Sequence, residues 1–229
     1  MTEAFYDSYC RFKCYEPPAP PSAKTLRRLD TEIWKPGHCD PAMSFLEIGC
    51  GTGEFLLYLR AKGVSDFMGI DRDPNLEAVI PETVRDRFRV VTVEALPTSD
   101  AGTRRFDRIV MLDVLEHFGA VDALALLRDM SARLEPGGRI IVRVPNAESP
   151  WGARYQYGDL THRTAYNAIS LRQIAHAADL VPESCHGQWR GPRVRVLTDK
   201  LVHGALSRLV LAPPEIWTAN VYAVFRKDD

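Results

Sequence analysis

The sequence predicts an α/β fold: a parallel sheet with helices on both faces. Three observations predict it. From residue 44 onward, short apolar runs alternate with longer segments whose apolar residues recur at helical spacing. The runs are apolar almost throughout, as strands buried on both faces require. The first run leads straight into Gly49-Cys50-Gly51-Thr52-Gly53, where glycines at alternate positions suit a sharp strand-to-helix turn.

In order along the chain, residues 1–16 are rich in aromatics (Phe5, Tyr6, Tyr9, Phe12, Tyr15). Pro17, Pro18, Pro20 and Pro21 follow as a stiff break. Residues 1–40 are therefore read as a helical lid and linker, and 41–229 as a single domain. Within the linker, 22–34 suits a helix that Lys35-Pro36-Gly37 ends. Strands are expected at 44–48, 66–70, 88–93, 106–112 and 139–144, and helices at 53–62, about 75–80, 120–134 and 170–179. The helix at 120–134 carries Val121, Leu124, Leu127, Met130 and Leu134, and Pro136-Gly137-Gly138 stops it. Ser170 with Gln173 suggests a capping box for the next helix. Two further strands are expected near 181–189 and 216–226. Between them, 194–211 mixes apolar residues with Arg195, Lys200, His203 and Arg208. It reads as a partly buried connecting helix, with a partner-binding or membrane-surface segment as the alternative.

A chain of 229 residues fits one large domain. Its 29 basic and 30 acidic side chains leave a net charge of −1, so no nucleic-acid partner is expected. No apolar run approaches a membrane span and the polar N-terminus is unlike a signal peptide, which predicts a cytoplasmic protein. Five irregularly spaced cysteines argue against a disulfide framework. Cys10-x3-Cys14 begins an iron–sulfur pattern, but Pro17 stands where its third cysteine belongs. His38-Cys39 does not complete a common zinc spacing, so no metal is expected.

The glycine turn alone serves many ligands. A dinucleotide fingerprint would need glycine at position 54, where Glu54 would instead repel a pyrophosphate at the helix N-terminus. A phosphate-binding loop also fails, because no Gly-Lys-Ser/Thr follows. Asp71 lies twenty residues past Gly51, at the end of Gly69-Ile70-Asp71, where a ribose-binding carboxylate belongs. Glu94-Ala95 ends the third expected strand and Asp113 the fourth. Ligands of open α/β sheets bind beyond the carboxyl ends of strands, so these three acids converge on one crevice.

The order Leu46–Gly53, Gly69–Asp71, Glu94-Ala95, Phe106–Asp113 and Leu134-Glu135-Pro136-Gly137-Gly138 resembles the class I S-adenosylmethionine-dependent methyltransferases. The resemblance spans about residues 44–146. It implies a Rossmann-like, seven-stranded, mostly parallel sheet whose last strand is antiparallel. It also implies S-adenosylmethionine as cofactor. The turn of Gly49, Cys50, Gly51 and Gly53 would meet the methionine part and Glu47 its amino group. Asp71 with Arg72 would hold the ribose and Glu94-Ala95 would flank the adenine, with Asp113 and His117 bordering the crevice. The sulfonium is cationic and the cofactor lacks phosphate, which suits an acid-ringed crevice containing Glu54.

Residues 147–168 follow the fifth strand, where this family binds the methyl acceptor. Asp159-Leu160-Thr161-His162, followed by a capped Ser-Leu-Arg-Gln helix, is similar to bacterial methyltransferases associated with sugars and surface polysaccharides. The expected reaction is O-methylation of a sugar hydroxyl on a glycan or glycolipid. His162 is the first choice of general base, because an unperturbed imidazole titrates near neutral pH. Asp159 would orient it or bind a sugar hydroxyl. Tyr6, Tyr9, Tyr157 and Arg163 are the expected acceptor contacts. Two alternatives stand beside this: O- or N-methylation of a phenol, quinone or other small metabolite, and a cofactor-binding interaction module without catalysis.

Overall fold

The structure, a computed structural model, describes residue 5 and residues 12–96, 104–189 and 191–228, apart from the side chain of Arg193. Tyr6 and Tyr9 lie outside the described residues, so the expected lid contacts of these two tyrosines do too.

Helix α1 (Ala23–Leu29) starts at Ser22, whose hydroxyl accepts the Thr25 N–H, and widens into a π-helical turn, Asp30–Trp34. Strand β1 (Phe45–Ile48) runs through the glycine turn into α2 (Glu54–Ala61). Strand β2 (Phe67–Asp71) leads to two 3-10 turns, Pro74–Ala78 and Glu82–Arg87, where one helix is expected near 75–80. Proline at the start of the first turn and at the entry to the second breaks the segment into these short pieces. Strand β3 is only Phe88–Val90, and β4 is Phe106–Leu112. Then come α3 (Ala120–Ala132) and β5 (Leu134–Pro145).

After β5, a short α4 (Ala153–Tyr157) precedes α5 (Ala168–Ala177), β6 (Leu180–Gly187), α6 (Arg193–Leu209) and β7 (Asn220–Lys227). The cap of α5 lies one turn earlier than Ser170-Gln173 suggests. Asn167 accepts the Ser170 N–H while the Ser170 hydroxyl accepts the Asn167 N–H, each at 2.9 Å. Asparagine is a stronger N-cap, and serine returns the bond in place of the usual glutamate.

The seven strands form one sheet in the order β3-β2-β1-β4-β5-β7-β6. The first five pair in parallel and β7 is antiparallel to both β5 and β6. Two apolar layers cover its faces. Leu46, Ile48, Ile109 and Met111 point into the layer that holds α3 and α5, and Phe45 and Val110 into the layer that holds α1 and α2. Strand periodicity puts Glu47 on the Phe45 side, beneath α2. Arg108 shares that side and donates to the carbonyls of Gly37 (2.6 Å) and His38 (2.7 Å), anchoring the linker to the sheet.

α6 is a connecting helix, half-buried along Val196, His203 and Leu206, but much of its apolar surface lies on the other side: Val194, Leu197, Leu201 and Leu209 are each at least 60% exposed.

Candidate active site

The glycine turn sits at the carboxyl ends of β1 and β2, and the sequence dictates its shape. Gly49, Gly51 and Gly53 have φ of +67°, +51° and +86°, a region that costs other L-residues. A Cβ on Gly49 would lie 2.6 Å from Val114 Cγ2, so this glycine lets the turn pack on the loop after β4. A Cβ on Gly51 would meet nothing within 4 Å and would point into open space. Gly51 therefore leaves bare backbone for a guest. Its N–H donates to Asp71 Oδ2 at 2.9 Å, and the Asp73 N–H to Oδ1 at 3.1 Å. These bonds hold the Asp71 carboxylate in place and leave lone pairs on both oxygens. Burial pushes its carboxyl upward, and the two N–H donors oppose that shift.

Beside the turn is a cleft of about 180 Å³ lined by Glu47, Cys50, Gly51, Thr52, Glu54 and Arg143. Glu47 is 3% exposed and its Oε2 has no hydrogen-bonding partner. Desolvation, with Asp71 nearby, pushes its carboxyl well above the usual range. A buried acceptor with nothing to accept from suits a cationic guest such as an ammonium group. The open backbone at Gly51, the orphaned Glu47 oxygen and the fixed Asp71 carboxylate thus fit the amino and ribose groups of S-adenosylmethionine. Cys50 is buried and its thiol is pushed well upward, first by desolvation, so it lines the cleft as a neutral group. Glu54 pairs with Arg28 at 2.7 Å.

Arg72 is exposed just past β2, and Glu94 lies exposed in a turn beyond the short β3 rather than at a strand end. Ala95 follows it in the same turn, its N–H donating to the Thr92 hydroxyl at 3.2 Å. Asp113 is held in the left-handed region, φ +59°, and is paired with Arg143, whose Nε donates to Oδ1 at 2.8 Å. A second bond joins the same two side chains. Arg143 also reaches Tyr222 Oη at 3.5 Å, and that hydroxyl donates to the buried Glu32 at 2.7 Å. The sequence reading missed this relay, because nothing in the motifs links position 32 to position 222.

A second cluster lies where the acceptor segment meets the loop after β4. The N–H groups of Arg163 and Thr164 both donate to the Glu116 carbonyl, at 2.8 and 3.1 Å, stapling one loop to the other. Asp159 forms a side-chain turn, accepting the Thr161 N–H at 3.0 Å and the Thr161 hydroxyl at 2.5 Å. Its other oxygen pairs with Lys13 at 3.1 Å, which brings the N-terminal segment onto the acceptor loop. Burial would raise the Asp159 carboxyl, but the Thr161 and Lys13 donors hold it far below the usual range.

His162 Nδ1 lies 3.0 Å from the Gln156 carbonyl, so this backbone oxygen, and not Asp159, orients the ring. Because a carbonyl only accepts, Nδ1 carries the proton and Nε2 keeps its lone pair, in a side chain that is 8% exposed. Nε2 points between Glu116 Oε1 and Asp159 Oδ2, each 4.0 Å away. His117 stands against His162, ring centroids 4.7 Å apart, with Nδ1 2.9 Å from the Thr161 hydroxyl. Burial, with His162 beside it, pulls His117 down to about 4. His117 thus belongs to this second cluster rather than to the cleft at the glycine turn.

Glu116 is fully buried, and neither carboxyl oxygen has a hydrogen-bonding partner. Sequence reading did not single it out, although its place beside His117 was a signal. Among the described residues, Glu116, His117 and His162 form the group that could hold a metal ion, with potential ligand atoms within 4.8 Å of one another. The spacing of the residues in the chain gave no hint of it, because the donors come from two separate loops. Tyr157 and Arg163 are both exposed beside the cluster.

Comparison with known proteins agrees with this architecture. Residues 22–184 match a family model described as a methyltransferase domain. A ubiquinone biosynthesis O-methyltransferase of Xanthomonas campestris pv. campestris (strain B100) is 31% identical over 111 residues, covering 46% of this chain and 44% of that protein. The chain thus spans less than half the length of the curated relative it matches. A SAM-dependent methyltransferase from Archaeoglobus fulgidus superposes over 99% of this chain and 100% of its own, with TM-score 0.66 at 16% identity. The N-methyltransferase NodS from Bradyrhizobium japonicum WM9, solved with S-adenosyl-L-homocysteine, superposes over 98% of both chains, with TM-score 0.64 at 18% identity. The family match covers well over half of the chain, and the cleft at the glycine turn suits the group that such proteins bind. The chain belongs to the S-adenosylmethionine-dependent methyltransferase family.

Proposed function

We propose that this protein methylates an acceptor hydroxyl, with His162 taking the hydroxyl proton. The observation that supports the reading is the unprotonated Nε2 of His162, set by the Gln156 carbonyl at Nδ1 and directed between two carboxyl groups. When bound, S-adenosylmethionine supplies a methyl group already activated by its sulfonium. The chain's own residues then align and deprotonate. Glu47 would accept from the cofactor's ammonium group, Asp71 would accept from the ribose hydroxyls, and the bare backbone at Gly51 would allow close approach. The imidazolium formed on His162 is held by Asp159, which Lys13 and Thr161 keep anionic.

The acceptor proposed first is a sugar hydroxyl on a glycan or glycolipid. Exposed Trp151, on the loop after β5, and Tyr155 and Tyr157, on α4, offer flat apolar faces on which a sugar ring can stack. A phenolic acceptor is the second reading, favoured by the partial similarity to the ubiquinone biosynthesis O-methyltransferase. Release of demethylated cofactor with panels of sugars, glycolipids and phenols divides the two. His162→Ala is expected to lower kcat about a hundredfold or more and to flatten its pH profile. An unchanged profile refutes the base assignment and leaves the acceptor class to the panel.

A further inference from the structure

We propose that α6 seats this protein on an anionic membrane surface. This goes beyond the methyl-transfer reading and does not depend on it. The inward side of the helix is only half-buried and mixed in character: Val196, His203 and Leu206 lie on it, the His203 ring stacks on Trp217 at 4.9 Å, and Trp217 Nε1 donates to the Ser207 hydroxyl at 3.0 Å. Its outward side is apolar. Val194, Leu197, Leu201, Val202 and Leu209 recur along one face, all at least 55% exposed, and Leu211 just beyond the helix is fully exposed. Exposure of that many large aliphatic side chains on one helix has no place in water alone, and marks a surface meant to be covered.

Charge selects what covers it. The helix carries Arg193, Arg195, Lys200 and Arg208 against a single acid, Asp199, in a chain whose net charge is −1. A cationic helix with an apolar outer stripe matches the boundary between acyl chains and anionic headgroups. A second copy packed on the same stripe would bring two such basic sets together. No helix among the described residues is long and apolar enough to cross a membrane, so α6 lies along the surface.

The placement also serves the site. The return from α6 is fastened to the acceptor loop: Asn146 Nδ2 donates to the Ile216 carbonyl at 2.7 Å and the Ser149 hydroxyl to the Trp217 carbonyl at 2.8 Å. Trp151, 55% exposed, extends from that same loop, and tryptophan favours the membrane interface. Docking through α6 therefore brings the membrane to the sheet edge where the acceptor segment opens.

Co-sedimentation of the whole protein with phosphatidylcholine vesicles, with and without phosphatidylglycerol, tests this. Binding is expected only with phosphatidylglycerol, and weaker in about 1 M salt, where screening shortens to about 3 Å. Leu197→Asp with Leu201→Asp, and separately Arg195→Glu with Lys200→Glu, should each lower binding about tenfold or more. All four side chains are outside the core, so circular dichroism and S-adenosylmethionine binding should be unchanged. Absence of binding to phosphatidylglycerol vesicles overturns the proposal, and so does undiminished binding of the aspartate variant. A dimer that the aspartate variant dissociates, without vesicle binding by the parent, assigns the stripe to a second copy and overturns it equally.

Discussion

His162 Nε2 lies 4.0 Å from Glu116 Oε1, a carboxyl group sealed from solvent with neither oxygen hydrogen-bonded. Such a carboxyl holds its proton: desolvation, with Asp113 nearby, pushes it well above the usual range. The folded protein therefore binds this proton more tightly than the unfolded chain. Glu116 costs least at acid pH and destabilises increasingly as pH rises above the ordinary glutamate value of about 4.3. The stability of Glu116→Gln relative to the parent should thus rise between about pH 5 and about pH 8, read from urea midpoints. A difference that does not vary with pH would show that Glu116 is solvated or neutralised in solution.

His117 gives the opposite slope. Its folded value of about 4 lies below the ordinary histidine value of about 6.5. The unfolded chain binds the proton in that window and the folded protein does not, so stability is full above about 6.5 and lost as pH falls towards 4. The loss should be on the order of 2–3 kcal/mol. His117→Asn should remove most of this slope in denaturation curves recorded at several pH values. A slope left intact by the substitution assigns the acid sensitivity to other groups.

Glu47→Gln should weaken S-adenosylmethionine binding about ten- to a hundredfold, as loss of a charge-assisted hydrogen bond in a buried site requires. Isothermal calorimetry reads the change. Because the parent carboxyl is buried and unpartnered, the folded state should not suffer. Unaltered affinity would remove Glu47 from the ammonium site.

The glycine turn offers a paired test. Gly49→Ala places a Cβ 2.6 Å from Val114 and adds overpacking to left-handed strain, so it should cost about 2–5 kcal/mol of stability. Gly51→Ala meets no protein atom within 4 Å and should cost only about 1–2 kcal/mol of left-handed strain, yet impair cofactor binding. Comparing Tm with affinity for both variants separates a packing glycine from a ligand-facing one. Equal loss of affinity per unit of stability would erase that distinction.

Tyr222→Phe keeps the ring stacked on His186 but removes the hydroxyl that donates to buried Glu32. A cost of about 1–3 kcal/mol is expected, with cofactor affinity falling only if the relay through Arg143 positions the cleft. Denaturation and calorimetry on the same sample read both quantities. No loss of stability would mean that Arg28, 3.6 Å from Glu32, already satisfies it.

Local patterns made much of this molecule legible. Apolar runs bounded by Gly, Pro and charged residues marked the strands, and Gly49 and Gly53 marked the first turn, because each signal acts within a few residues of itself. The errors were also local in origin. Ser170 was a plausible cap until Asn167 offered a reciprocal pair one turn earlier. The strand expected at 88–93 ends at Val90, which leaves Glu94 in a turn. The few charges in residues 194–211 point to a partly buried connecting helix, and α6 is half-buried on one side, but composition does not say which apolar residues stay outside. The half-burial of Val196 and Leu206 and the stacking of His203 on Trp217 show which side of α6 faces inward.

By itself the sequence determined the α/β alternation, the glycine turn and the place of Asp71 at the end of β2 beside that turn, because periodicity, turn chemistry and spacing are written in neighbouring residues. The tertiary structure alone decided that Glu116 and His117 meet His162, that Glu47 is left without a partner, and that Asp113 is tied to Arg143. It also decided that the apolar stripe of α6 faces outward. Those relationships join residues far apart in the chain, and burial, tautomer and exposure are properties of the packed whole that no local pattern encodes.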